Sequence, residues 1–109
     1  MAFFTKGRTM QNLFSPNPNA LLKEQFDTLL KTQTLSIEKI TSNGQTSSQW
    51  YDQDRHEWVV IIEGEGSLLF EDGREIHLKK GEHLYIPKHT KHKVIYSASP
   101  TIWLAVHFT

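Results

Sequence analysis

The chain has 109 residues, enough for one small domain, and its 12 Lys+Arg balance 12 Asp+Glu to a formal net charge of zero. That balance supplies no basic surplus for nucleic acid or an anionic membrane surface, and no apolar run reaches the length of a membrane span. The absence of cysteine excludes disulfides, thiolate metal sites and cysteine nucleophiles, so any metal would rest on His, carboxylate, amide or phenol groups.

Along the chain, residues 1–9 read as a loose extension with a short apolar patch. They lack the cleavage-like site of a secretory signal, which makes the cytoplasm the expected compartment. "NPNALLKEQFDTLLK" then reads as the only helix: Asn17 is placed to cap it, Pro18 stands at the first helical position, and Leu21, Leu22, Phe26, Leu29 and Leu30 recur at helical spacing. After Lys31 the pattern becomes short β-rich runs between turn signals. "TLSIEKI", "WVVII", "SLLFE", "REIHLK", "HLYIP", "HKVIY" and "TIWLAVHF" are the expected strands, with Asp72-Gly73 as a hairpin turn. This spacing predicts an all-β sandwich or barrel: residues 1–35 form an N-terminal extension and helix, and residues 36–109 form the barrel. The last strand is apolar on both faces, which predicts a cover of core on one side and another layer or subunit on the other.

Two residues need a chemical explanation. Glu57 stands at the entrance of the apolar strand "EWVVII", and a buried carboxylate must be paired, protonated or on a metal. His92 opens "HKVIY" at another strand entrance. Side chains alternate along a strand, so Tyr51 and Gln53 share the face of Glu57 if the extended run is unbroken, and His56 faces the other way. By the same parity Val94 and Tyr96 share the face of His92. His77 and His83 read as surface residues. His107 reads as a core or interface histidine, and His89 lies in the loop before His92.

These residues resemble the cupin superfamily. Glu57, six residues and Gly64 match the second half of the first cupin motif, and Gly81, Pro87 and His92 match the second. The resemblance runs from Gly44 to Phe108 and identifies the chain as similar to small single-domain cupins. It implies a double-stranded β-helix (jelly-roll barrel) preceded by the short helix, a homodimer, and a site in the barrel mouth. A typical cupin holds a divalent metal through two histidines and the glutamate of the first motif and the histidine of the second. Here the two histidine positions are Tyr51 and Gln53, or Trp50 and Asp52 with a longer spacer. The second motif's glycine is His89 and its asparagine is Tyr96.

Three readings therefore stand open. In one, Gln53, Glu57 and His92 hold a divalent metal (Mn, Fe, Ni or Zn), and Tyr51 or Tyr96 serves as an acid or base on a small polar metabolite. A second histidine for an iron-type site would have to come from His107, His89 or His56. In another, the same residues form a metal-free pocket for a small-molecule ligand, without catalysis. In the third they only hold the barrel mouth together.

Overall fold

A computed structural model describes residues 11–109 of the chain; the expected N-terminal extension, residues 1–9, lies outside them. The described residues form eight strands in two antiparallel sheets. The five-stranded sheet has the order β1 (Gln25–Lys31), β2 (Leu35–Ser42), β8 (Thr101–Phe108), β3 (His56–Glu63), β6 (His83–Ile86). The three-stranded sheet has the order β5 (Glu75–Lys79), β4 (Glu65–Phe70), β7 (His92–Ser97). The all-β jelly roll expected from the sequence is present, and each expected strand is found. No helix among the described residues is long and apolar enough to cross a membrane.

The expected helix is corrected. Asn17 does act as a cap, its side chain accepting from the Asn19 amide, but the helix stops after one 3-10 turn at Pro18–Leu21. From Gln25 the chain runs as β1, pairing Gln25 with Thr41 and Lys31 with Ser36. Without it the outer edge of β2 would carry unpaired backbone groups, and satisfying them outweighs a weak helical propensity. The apolar stripe consequently is not buried as one face: Leu22 is almost fully exposed, and Phe26, Leu29 and Leu30 are half exposed.

Between the sheets lies the core: Val59, Ile61, Leu68, Phe70, Leu78, Ile86 and Trp103. The sheets approach closely at Gly66, where an added Cβ would lie 2.3 Å from Cζ2 of Trp103. Only a residue without a side chain lets the indole of one sheet lie against the backbone of the other.

The outer faces of the sheets differ. On the three-stranded sheet, Glu65, Ser67, Glu75, His77, Lys79 and Tyr96 face outward. On the five-stranded sheet the outward positions include Ile37, Trp58, Val60, Leu104 and Val106, all half-buried. Residues 12–17 cover only one end of that face: Lys39 Nζ bonds the carbonyls of Asn12 and Ser15, and Thr41 Oγ1 accepts from the Asn17 amide.

Candidate functional site

Between the sheets a cavity of about 120 Å³ opens to the outside, with Val59, Leu68, Ile86 and Trp103 among its apolar lining. Glu57 stands at the polar end, brought there by the inward parity of β3 that also buries Val59 and Ile61. Register then supplies the partners. His107 of β8 pairs directly with Glu57 across the ladder, and His92 starts β7 on the opposite sheet, paired with Phe70. The Glu57 side chain is 9 % exposed, with His92 Nε2 3.4 Å from Oε1 and His107 Nε2 3.6 Å from Oε2. The two imidazoles thus flank one carboxylate from different sheets. The His92 Nδ1 lies 2.8 Å from the Thr90 carbonyl, which only accepts, so Nδ1 carries the hydrogen and Nε2 faces Glu57.

The loop between β2 and β3 brings in Tyr51 and Gln53. It is stitched to β7 by the Tyr51 amide donating to the His92 carbonyl at 2.7 Å and the His92 amide returning to Tyr51 at 3.1 Å. The Tyr51 ring sits 5.7 Å from the His92 ring. The Gln53 carbonyl accepts from the His89 amide at 2.7 Å, and Gln53 Nε2 lies 3.3 Å from His107 Nε2.

Burial alone would raise the Glu57 pKa. The close polar approach and the charge of His107 and His92 override it and bring the carboxyl to about 2. For His92, burial acts to lower the pKa, and Glu57 with the Thr90 carbonyl reverses that to a net rise. The result is an ionised carboxylate beside an imidazole that favours its proton. Even so, among the described residues Glu57 Oε1 has no partner at hydrogen-bond geometry, nor does the buried Nε1 of Trp103, a residue of the cavity wall. Glu38, also on the wall, has its pKa raised by burial and by the charges of Glu57 and Asp27, against the lowering effect of His107 and Arg55.

Of the residues expected at the site, Tyr51, Gln53, Glu57 and His92 converge on the cavity. Tyr96 does not. One extra residue on β7, opposite Ser67–Leu68 of β4, shifts the strand's parity, and Tyr96 turns outward, 45 % exposed and against the His77 ring. His107, expected as a core or interface residue, is instead a central member. Its shared parity with Trp103 was the visible signal, but its pairing with Glu57 exists only across the folded ladder. His56 faces outward, its Nδ1 accepting from the Lys88 amide and 3.0 Å from the Tyr85 hydroxyl. His89 is exposed beside Asp52 at 3.3 Å. It takes a left-handed φ of 60°, the conformation the motif's glycine adopts most cheaply. Among the described residues no three His, Cys, Asp or Glu side chains close into a ready-made metal cage; His92 and His107 each reach Glu57 separately.

The family model "Cupin domain" matches residues 38–107. Among solved structures, a putative mannose-6-phosphate isomerase from Ralstonia eutropha JMP134 is 36 % identical, with a TM-score of 0.84, covering 93 % of this chain and 98 % of that one. A cupin superfamily protein from Desulfitobacterium hafniense DCB-2 is 17 % identical at a TM-score of 0.72, over 93 % and 98 % of the two chains. The protein described as FeII HppE is 16 % identical at a TM-score of 0.69, over 78 % of this chain and 50 % of its own; these last two likenesses are of fold alone. No curated protein matches.

Proposed function

The chain belongs to the cupin domain family, and from that premise we propose that its barrel mouth is a small-molecule site built on a divalent metal ion held by Glu57, His92 and His107, with Gln53 as a further donor. The observation that carries this reading is the buried Glu57 carboxylate, one oxygen unpartnered, between two imidazole Nε2 atoms. The donor set fits such an ion. Two imidazoles and a carboxylate suit first-row metals such as Mn, Fe, Ni or Zn, and the Thr90 carbonyl fixes His92 with Nε2 as the free nitrogen, the outer-shell arrangement of metal-ligating histidines. Bound there, the ion would supply Lewis acidity to a substrate oxygen. The chain's own residues do the rest. Apolar Val59, Leu68 and Ile86 line the inner wall, and Tyr51, its ring 5.7 Å from that of His92, would exchange a proton with a bound small polar metabolite. The description of the Ralstonia relative as an isomerase supports a reaction on a small polar metabolite.

A second reading keeps the same pocket without metal, as a ligand-binding site with no catalysis. It is favoured by the carboxyl of Glu57 held at about 2 beside a His92 whose pKa is raised, a pair that balances its own charge. Metal content of the full chain, purified without chelator, separates the two. Stoichiometric metal, lost in Glu57→Ala and His92→Ala and weakened in His107→Ala, is expected. Metal-free protein that also ignores added Mn, Fe, Ni and Zn overturns the metal reading and leaves the second. The proposed assembly is a homodimer joined through the apolar centre of the outer face of the five-stranded sheet, around Trp58, Val60, Leu104 and Val106.

A further inference from the structure

The charges around the cavity are not those of a site for anions. Its wall carries Glu24, Glu38 and Glu57 with His92 and His107, and neither Lys nor Arg. Outside it, a polar vestibule of about 580 Å³ shares Glu38, Gln53 and His107 with the cavity; its two fixed cations, Lys31 and Arg55, are outnumbered by Glu38, Asp52 and Asp54. A phosphate group wants clustered cations or a helix N-terminus, and the described residues put neither on the wall.

The two ends of the cavity differ. Phe26, Ile40, Trp103 and Ile61 form one row across β1, β2, β8 and β3, whereas Glu57 and His107 pair four residues further along. At a rise of about 3.3 Å per residue the rows are some 13 Å apart, so an ion at Glu57 stands well away from the first row. Glu24 shares the inward parity of Phe26 beside that row. Its carboxylate accepts from the hydroxyl of the buried Ser42, and none of the cations among the described residues forms an ion pair with it. Two residues on from it is the half-exposed Phe26 ring, and the buried Trp103 lies on the same cavity wall two strands over. A carboxylate with no cation paired to it among the described residues, beside an aromatic ring, is the chemistry that recognises ammonium groups.

We infer that the cavity takes a small cationic ligand, an amine or alkylammonium, with its charge at Glu24 and Phe26, and that it turns away phosphate esters. This names the ligand class of the site proposed above and rests on that cavity being the binding site, though not on the metal.

The test is equilibrium binding to the full chain, in both metal-loaded and chelator-treated form, read by tryptophan fluorescence and by heat. The probes are choline, its uncharged carbon isostere 3,3-dimethylbutan-1-ol, and mannose 6-phosphate. Choline is expected to bind about tenfold or more tightly than the isostere, a gap of ~1.4 kcal/mol, and the phosphate ester least. Raised salt narrows that gap, and Glu24→Gln abolishes it while leaving metal content and melting temperature unchanged. Equal binding of choline and the isostere, preferred binding of mannose 6-phosphate, or no choline binding in the millimolar range overturns the proposal. Because the charge order is measured with and without metal, it stands or falls separately from the metal content.

Discussion

The two sheets of the barrel are built alike inside and differently outside. Each buries an alternating apolar set against the other, and each contributes to the site: the five-stranded sheet brings Glu57 and His107, the three-stranded sheet His92. Outside, the three-stranded sheet is coated with Glu65, Ser67, His77 and Lys79, and His77 bonds both Glu65 at 2.8 Å and Ser67 at 2.6 Å. The outer face of the five-stranded sheet keeps Ile37, Trp58, Val60, Leu104 and Val106 half exposed across its centre, and its charged pair, Asp27 and Lys39, lies toward the β1 edge. A face finished with its own polar contacts is finished for water. A contiguous apolar one marks an interaction surface, and in a chain of zero net charge nothing repels a second copy.

The largest effect should come from putting a charge where the contrast is sharpest. Val106→Lys places one ammonium per copy in the centre of the proposed interface, where an unpaired buried charge costs several kcal/mol. Light scattering at micromolar concentration should give a dimer mass for the native chain and a monomer mass for the variant. Ser67→Lys on the other sheet should leave the mass unchanged. A native chain that is already monomeric at that concentration, or a Val106→Lys dimer, removes the interface from this face.

How much of this was legible in the sequence depends on whether the information was local. Glu57 and His92 were visible because each stands at a fixed distance from a turn residue, Gly64 or Pro87, and turn chemistry is local. The alternation of "EWVVII" also gave the correct face for Glu57 and the opposite one for His56. What failed was set by pairing. The helical spacing of Leu21 to Leu30 could not reveal that the edge of β2 would claim those residues as β1. The parity that put Tyr96 beside His92 was broken by a one-residue bulge that nothing in "HKVIY" announces. His107 became a site residue through its register with Glu57, a contact between residues 50 positions apart in the chain.

Because the site straddles the sheets, acid should pull the barrel apart there. Glu57 has a folded pKa of about 2, below its ordinary 4.5. Its ionised form is therefore favoured by folding, and that stability is complete above about pH 5 and lost as pH falls toward 2. His92 has the opposite sign. Its raised pKa contributes stability below its ordinary 6.5 that fades as pH rises through the folded value. Together they predict a maximum between these ranges and an acid-side loss of about 2–3 kcal/mol from Glu57. Urea midpoints measured from pH 7 down to 2.5 check it. In Glu57→Gln this part of the acid-side slope should vanish, and a slope that survives the substitution would assign the acid sensitivity to other carboxylates.

The smallest expected effect concerns the loop that joins the site to the three-stranded sheet. His89 holds a φ of 60° and donates its amide to the Gln53 carbonyl at 2.7 Å, so its backbone positions a residue of the cavity wall. Its side chain is 65 % exposed and lies 3.3 Å from the half-exposed Asp52, a surface pair of little worth. The left-handed conformation costs a residue with a Cβ roughly 1 kcal/mol, and glycine adopts it freely, at the expense of a more flexible unfolded chain. His89→Gly should therefore leave stability unchanged or raise it by up to about 1 kcal/mol in urea unfolding, with metal content unaltered. A loss of more than that would mean the imidazole holds the loop through Asp52, and a loss of metal would make His89 part of the site from which the geometry separates it.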